Sequence, residues 1–162
     1  MAAGFCTIGH STRRFEVFVE MLREAGVTLV VDVRSFPRSR INPDYNIDGM
    51  SARLAPFQLA YVHMPDLGGR RAVQSDVSAH VNALWQNRSF HNYADYALSE
   101  AFNAALTTLM ALGKQQCLAI MCAEAVWWRC HRRIITDYLL MNGQPVRHLM
   151  GSGRTEPAHL TP

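Results

Sequence analysis

Residues 28–33 read Thr28-Leu29-Val30-Val31-Asp32-Val33, an almost uninterrupted apolar run that ends beside Arg34. A strand that is apolar at successive positions is typical of a parallel sheet covered on both faces. Shorter apolar runs occur at residues 5–8, 60–64, 117–121 and 146–149, and stretches with helical spacing separate most of them. The sequence therefore predicts an α/β domain with three layers, in which helices flank a mostly parallel central sheet.

Length and composition fit a single domain. The chain has 162 residues, of which 49% are hydrophobic and 18% are charged. We expect one α/β domain over residues 1–150 and a loose C-terminal tail over residues 151–162. A chain of this length buries roughly 70% of its unfolded surface, so it needs neither disulfides nor a structural metal for stability. With four cysteines and no signal peptide or long apolar segment, the chain is expected to be a reduced, cytoplasmic protein without membrane contact.

The connecting segments give weaker predictions. Residues 35–60 contain three prolines and a glycine, which favours a long surface loop with a short helix near residues 50–54. Helical spacing predicts helices over about 78–85, 93–112 and 128–141.

Fifteen of the sixteen basic residues are arginines, and Lys114 is the only lysine. Guanidinium groups bind carboxylates and phosphates with two parallel hydrogen bonds, which suits an anionic partner. A genome that favours arginine codons explains the overall count equally well. The positions of the arginines therefore matter more than their number, and the oligomeric state stays open.

Polar residues follow four of the predicted strands. They are Gly9-His10-Ser11, Asp32 with Arg34, His63 with Asp66, and Cys122 with Glu124. In a parallel sheet with right-handed crossovers, the carboxyl ends of the strands share one edge, and ligands bind in the crevice outside that edge. The sequence thus predicts one site built from residues up to ~110 positions apart.

Four of these residues are candidate catalytic groups, namely Cys122, Glu124, His10 and Asp32. Cys122 ends an apolar strand ahead of a helix, where a thiolate is favoured, so it is a candidate nucleophile or else a small core residue. Glu124 is a general base or a salt-bridge residue. His10 orients or deprotonates a substrate group or stabilises a turn, and Asp32 acts in catalysis or in a structural ion pair.

The candidate ligand-binding residues are Gly9, Ser11, Arg34, Arg132, Cys130 and His131, with Arg34 and Arg132 supplying positive charge. Cysteine and histidine also suit zinc. Adjacent residues of a helix point about 100° apart, however, so Cys130 and His131 cannot easily bind one ion. We expect neither a metal nor a cofactor.

Several of these motifs occur together in a known family. The motifs Gly9-His10-Ser11, Asp32-Val33-Arg34 with Pro37 and Ser39, Leu67-Gly68-Gly69, and Cys122-Ala123-Glu124 followed by Cys130-His131-Arg132 resemble the domain of unknown function 488 family from about Thr7 to Leu149. The resemblance implies a small bacterial and archaeal α/β domain and assigns no activity. The chain is also weakly similar to rhodanese-type sulfurtransferases, although Glu124 would repel an anionic intermediate on Cys122.

These observations predict an enzyme-like domain that binds a small anionic or nucleotide-like ligand at the carboxyl edge of the sheet. Cysteine-based group transfer, by a transferase or hydrolase, is the expected chemistry. One alternative is a nucleic-acid-binding module that contacts phosphates through loop arginines, namely Arg38, Arg40, Arg53, Arg70 and Arg71. The other is a non-catalytic regulatory domain that binds a ligand.

Overall fold

A computed structural model of the protein describes residues 3–38, 40, 42–151 and 153–161. Within them the strands are β1 (Gly4–Gly9), β2 (Leu29–Asp32), β3 (Ala60–His63), β4 (Cys117–Cys122), β5 (Val146–Gly151) and β6 (Arg154–Pro157). The helices are α1 (Phe15–Glu24), α2 (Ile47–Leu54), α3 (Arg88–Tyr96), α4 (Glu100–Gln115) and α5 (Arg132–Met141). The predicted α/β fold is confirmed.

The strands form one sheet in the order β3-β2-β4-β1-β5-β6, in which the first five are parallel and β6 is antiparallel to β5. The register places Gly9 beside Cys122, and Asp32 beside both Met121 and His63. Four strands therefore end side by side at one edge, as the sequence predicts.

Alternating residues of β4 supply the two faces of the core. Leu118 and Ile120 pack on one face with residues of α4 and α5, including Leu109 and Ile135. On the opposite face, Met121 packs with α1 and α2 through residues that include Phe18, Leu22, Met50 and Leu54. Both faces are covered, which explains why the run in β2 and β4 is apolar at every position except Asp32.

The segment 35–60 is more ordered than its prolines suggest. It contains α2 and two short 3₁₀ turns, Pro43–Tyr45 and Ala55–Phe57, and the side chains of Tyr45, Met50 and Leu54 are completely buried. The predicted short helix near residues 50–54 is present as the longer α2, and the two 3₁₀ turns add regular structure that the prediction lacks. The apolar spacing of Met50 and Leu54 secures α2 against the sheet.

The helical predictions need three corrections. Residues 78–85 form turns rather than a helix. The segment 93–112 belongs to two helices, because the Ser99 side chain accepts a hydrogen bond from the Phe102 backbone and begins α4 afresh. Helix α5 begins at Arg132, after a short 3₁₀ turn at Trp127–Arg129, so Cys130 and His131 precede the helix.

The C-terminal tail also differs from the expectation of a loose segment. Arg154–Pro157 form β6, which pairs with β5 and covers an otherwise exposed strand edge. Beyond β6, the Thr161 backbone N–H donates to the Asp137 carboxylate at 2.9 Å. Across the described ranges, no helix combines the length and the apolar character that crossing a membrane requires.

Candidate functional site

A cleft of about 570 Å³ opens at the carboxyl edge of the sheet, within the range of small-molecule sites. Its walls come from segments far apart in sequence, and the residues that line it are Arg34, Ser35, Phe36, Gly69, Arg70, Asn87, Ser89, Phe90, Cys122, Ala123, Glu124, Arg129, Cys130 and His131. The exposed side chains of Arg70 and Arg129 give this cleft positive charge.

Two thiols lie together in the wall of the cleft. Cys122 and Cys130 are both buried, and their side chains lie close enough to influence each other's ionisation. Burial and the contact with Cys130 raise the pKa of the Cys122 thiol well above its usual value. Burial opposes ionisation of Cys130 too, but the contact with Cys122 and the nearby His131 and Arg132 hold its pKa well below the usual value. Of the two, Cys130 is therefore the thiol that ionises more readily.

The imidazole of His131 faces the Cys130 sulfur. Its Nδ1 lies 3.5 Å from Cys130 Sγ, and its Nε2 lies 2.8 Å from the Val33 carbonyl oxygen. Because a carbonyl only accepts, Nε2 carries a proton, and in the neutral ring the lone pair of Nδ1 points to the thiol. A sulfur, a base and a group that orients the base thus occur in series, which is the arrangement of an activated nucleophile.

The tight approach of Gly69 to His131 allows a test of this contact. A Cβ atom at Gly69 would lie 2.5 Å from His131 Nδ1, too close for the ring to stay in place. We expect Gly69→Ala to turn the ring away from Cys130 and to slow iodoacetamide alkylation of Cys130 at pH 7 by at least about tenfold. Circular dichroism and the thermal midpoint should show that the fold survives. Unchanged alkylation in a variant with a displaced ring would mean that His131 does not activate Cys130.

Arg132 is a buried cation whose nearest electron-rich groups are neutral oxygens and the two cysteines. Only 1% of the residue is exposed. Its Nη1 donates to Thr7 Oγ1 at 3.2 Å, and its Nη2 donates to the Glu124 carbonyl oxygen at 2.7 Å. In the described part of the chain its Nε has no partner and it forms no ion pair with a carboxylate. Ionisation of the neighbouring cysteines, Cys130 in particular, would supply a negative charge beside this guanidinium.

Asp32 and Arg34 form a buried ion pair behind the cleft. The Arg34 Nε and Nη2 atoms donate to the two carboxylate oxygens at 2.9 and 2.7 Å, and the Tyr61 hydroxyl also donates to Asp32. Arg34 Nη2 donates in addition to the Tyr45 carbonyl oxygen at 2.6 Å. Most of the hydrogen-bonding capacity of Arg34 is thus used inside the protein, although the residue still lines the cleft.

His10 is held by the same network. Its Nδ1 donates to the Ser11 carbonyl oxygen at 2.9 Å, so its Nε2 accepts from Arg34 Nη1 at 3.2 Å. The ring stacks on Tyr45 at 4.4 Å between centroids. Burial lowers the pKa of His10 to about 4. With both nitrogens occupied and the ring neutral, His10 holds Arg34 and the chain after β1 in position.

A second buried histidine, His148, also has a lowered pKa. The two histidines together predict that the fold loses stability in acid. Burial and the nearby Arg132 lower its pKa to about 4. Both histidines charge more readily in the unfolded chain, so their contribution to stability is complete above about pH 6.5 and is lost as the pH falls to 4. We expect up to about 3 kcal/mol of lost stability for each. Urea unfolding at pH 7.5, 5.5 and 4.5 measures this loss.

The matched variants for that measurement are His148→Gln and His80→Gln. His80 is exposed and should leave the pH dependence unchanged, whereas His148→Gln should reduce it. Equal pH dependence in all three proteins would show that His148 does not cause the acid sensitivity.

The end of β1 packs closely against the chain after β4. The Ser11 backbone N–H donates to the Ala123 carbonyl oxygen at 2.9 Å, and Ser11 adopts a left-handed φ of 47°. A Cβ atom at Gly9 would lie 1.8 Å from the Glu124 carbonyl oxygen, so only glycine fits there. Gly9 therefore fixes the position of the carbonyl that receives Arg132.

The structure brings the predicted site residues to one region in three groups. Cys122, Glu124, Cys130 and His131 line the cleft together with Arg34. His10 and Ser11 line an adjoining cavity of about 420 Å³, which also contacts Arg34, Phe36 and Glu124. Asp32 and Arg132 lie buried behind these walls, and Ser39 lies outside the described residues. Among the described residues, no three histidine, cysteine or acidic side chains are grouped so as to hold a metal ion.

Sequence reasoning missed several cleft residues and two contacts. The unpredicted lining residues are Ser35, Phe36, Asn87, Ser89 and Phe90. Arg70 was predicted only for nucleic-acid contact, and Arg129 lies beside Cys130 in sequence; both also line the cleft. The pairing of Cys122 with Cys130 and the contact of Cys130 with His131 were not predicted either. A Cys-His dipeptide after a strand that ends in cysteine is the only sequence signal for them.

A further pair of cysteines lies away from the cleft. Cys6 on β1 and Cys117 at the start of β4 lie close together, and Arg147 Nη2 lies 3.3 Å from Cys6 Sγ. The contact with Cys6 and the nearby Arg147 lower the pKa of Cys117 to about 6. Cys117 is buried and does not line the cleft, so it serves as an internal comparison for the thiols there.

Three of the five loop arginines of the nucleic-acid alternative have partners within the protein. Arg38 donates to both oxygens of Asp48 at 2.6 and 2.9 Å, and the Arg71 guanidinium lies 3.8 Å from the centre of the Tyr96 ring. Arg53 donates to the Asp44 carbonyl oxygen at 2.7 Å. No specific feature of these contacts favours a nucleic-acid surface.

Comparison with known proteins gives one match. A family model described as Domain of unknown function DUF488 matches residues 14–139, which include Asp32, Arg34 and the segment from Cys122 to Arg132. No curated protein and no solved structure matches the chain. The similarity to rhodaneses thus gains no support.

Proposed function

The chain belongs to the family named domain of unknown function DUF488, and we propose that it is a cysteine-dependent enzyme acting on a small anionic ligand in the cleft. In this proposal Cys130 has the nucleophilic role that the sequence suggested for Cys122. The observation that carries it is the contact of Cys130 with both Cys122 and His131 beside the buried Arg132.

The charge around Cys130 supports a nucleophile. Arg132 donates its backbone N–H to Cys130 Sγ at 3.4 Å, and its guanidinium adds a full positive charge close to the two thiols. A cysteine between an imidazole and a guanidinium is ionised at lower pH than a free thiol. Since it also lines an open cleft, the thiolate can meet a ligand.

The walls of the cleft support an anionic ligand. Arg70 and Arg129 are exposed there, and a guanidinium binds carboxylate or phosphate with two hydrogen bonds. Phe36 and Phe90 provide aromatic surface in the same walls, which would suit a nucleotide-like ligand. Glu124 lies between the cleft and the adjoining cavity of His10, where it would serve as a base for a second reactant.

The reaction would proceed in two steps. The Cys130 thiolate forms a bond to the electrophilic atom of the ligand, and the leaving group departs with its electron pair and takes a proton. Water or an acceptor then loses its proton to Glu124 and attacks the same atom, and the electron pair of the broken bond returns to Cys130. Water would make the protein a hydrolase, and another acceptor would make it a transferase. A reducing, cytoplasmic compartment, which keeps the cysteines as thiols, belongs to the same proposal.

Alkylation by iodoacetamide across pH tests the nucleophile, with peptide mapping to assign each cysteine. We expect Cys130 to react with a midpoint well below the ordinary ~8.5, and Cys122 to react far more slowly. Phosphate or sulfate should slow alkylation of Cys130 by occupying the cleft. Cys117 should keep its own rate, because it lies outside the cleft.

Two results would overturn this proposal. One is an inert Cys130 in a protein whose circular dichroism shows an intact fold. The other is equal protection of Cys117 and Cys130 by the anions, which would mean that protection does not arise in the cleft. Loss of the fast phase in Cys130→Ser, together with its retention in Cys117→Ser, is the result we expect.

A further inference from the structure

Cys122 has no role in the two steps above, although it is the direct neighbour of the proposed nucleophile. A single thiolate beside His131 and Arg132 would suffice for those steps. The structure instead places a second thiol beside Cys130 in the wall of the same cleft. The two residues lie at the end of β4 and just before α5, and they share Arg132 as a neighbour: its backbone N–H contacts Cys130 Sγ, and its guanidinium binds the Glu124 carbonyl oxygen that lies 3.7 Å from Cys122 Sγ.

We propose that Cys122 and Cys130 are a redox-active dithiol that exchanges with an anionic, low-molecular-weight disulfide bound in the cleft. This inference rests on the proposed role of Cys130 as a nucleophile and names the class of substrate. It also gives Cys122 a role, which is to resolve the mixed disulfide.

The unequal environments of the two thiols suit the two roles. Cys130 contacts His131 Nδ1 at 3.5 Å and the Arg132 backbone N–H at 3.4 Å, so the attacking sulfur is next to a base and a cation. Cys122 keeps its proton at rest, with the Glu124 carbonyl oxygen 3.7 Å from its sulfur. A resolving thiol is needed only after the first exchange, when Cys130 no longer carries negative charge.

The dimensions and charge of the cleft favour an anionic disulfide over a very small oxidant. A volume of about 570 Å³ is much larger than a peroxide molecule needs. Arg70 and Arg129 on the walls would bind carboxylates on the two halves of a disulfide. Both thiols lie in the same wall, so one bound molecule would reach each of them in turn.

The exchange balances without a further reactant. The Cys130 thiolate attacks one sulfur of the substrate disulfide, forms a mixed disulfide with that half, and releases the other half as a thiolate that takes up a proton. Cys122 then gives its proton to His131 and attacks the Cys130 sulfur. That step releases the remaining half as a thiolate, which takes the proton from His131, and leaves a Cys122–Cys130 disulfide. The substrate disulfide is reduced to two thiols, and the protein dithiol is oxidised.

Glutathione disulfide is the probe for the test, since it is a small disulfide that carries four carboxylates. The fully reduced protein is incubated with it, quenched with acid, and measured by intact mass and peptide mapping. We expect the wild type to lose two hydrogens and to contain a Cys122–Cys130 disulfide. Cys122→Ser should keep one glutathione on Cys130, and Cys130→Ser should show neither product. Cys117→Ser should behave as the wild type, and circular dichroism confirms folding of each variant.

The outcomes separate this inference from the proposed function. A wild type that retains glutathione on Cys130, with Cys122 still a free thiol, overturns the dithiol and leaves the nucleophile in place. A Cys130 that reacts with iodoacetamide but not with glutathione disulfide overturns the substrate class alone. A Cys130 that reacts with neither reagent overturns the inference and the proposed function together.

Discussion

Asp32→Asn should lower the free energy of unfolding by about 3–5 kcal/mol. The substitution removes the charge that balances Arg34, while the guanidinium stays buried with its Nε and Nη2 atoms directed at the former carboxylate. A buried charge that loses its partner costs far more than the pair contributes as a whole. An asparagine also cannot accept hydrogen bonds through both of its terminal atoms, as the carboxylate does. Urea unfolding at pH 7.5, followed by circular dichroism, measures the loss.

Asp48→Asn is the matched control for that experiment. Asp48 also pairs with an arginine through two hydrogen bonds, but the side chains of Arg38 and Asp48 are 65% and 64% exposed. Exposed pairs contribute at most about 1 kcal/mol, so this variant should unfold almost as the wild type does. If the free energy of unfolding fell equally in the two variants, burial of Asp32 and Arg34 would not be the reason for the large loss of stability.

The sheet could be predicted from the sequence because its strands have a local signal. The runs in β2 and β4 are apolar at nearly every position, a pattern that only a strand covered on both faces explains well. The common edge then follows from the handedness of the crossovers, which holds for parallel sheets in general. This is why the sequence predicts that residues as distant as His10, Asp32 and Cys122 lie near one another.

The predictions for the connecting segments were less accurate, because the structure of these segments depends on contacts with residues that are distant in sequence. Prolines in residues 35–60 suggested a loop, yet the Tyr45 hydroxyl donates to the Arg13 carbonyl oxygen at 2.7 Å and its ring packs on His10. The C-terminal tail has little apolar content, and β6 forms because β5 offers a free edge. The local sequence around Tyr45 does not indicate its contacts with Arg13 and His10, and the sequence of the tail does not indicate its pairing with β5.

The chemical role of each site residue depends on the distances between side-chain atoms, and the sequence alone does not give these distances. Cys122 and Cys130 were both noticed, but their relative charge depends on which of them contacts His131. The angle between adjacent helical residues disfavours zinc only when Cys130 and His131 lie within a helix, and α5 begins directly after His131. His10 was expected to act on a substrate, and its two nitrogens instead contact Ser11 and Arg34.

The second large effect is expected for Arg132→Met, which should slow alkylation of Cys130 at pH 7 by roughly tenfold or more. Methionine fills much of the same space and packs well in irregular cores, but it removes the charge that balances the thiolate. The pKa of Cys130 should therefore rise. The pH midpoint of alkylation, with peptide mapping, measures that rise directly, and it does so independently of any loss of stability.

Arg133→Met controls for the loss of an arginine from the same helix. Arg133 directs its side chain to Trp85 and to Thr161 Oγ1, away from the cysteines, so the alkylation midpoint of Cys130 should not change. Arg132 also joins the site to the sheet, since it donates to Thr7 on β1 and to the Glu124 carbonyl oxygen after β4. If Arg132→Met stays folded and Cys130 reacts as before, the contacts with His131 and Cys122 are sufficient to lower the pKa of Cys130. A shifted midpoint in Arg132→Met alone would mean that the buried guanidinium, which binds residues at β1 and after β4, also activates the thiol beside it.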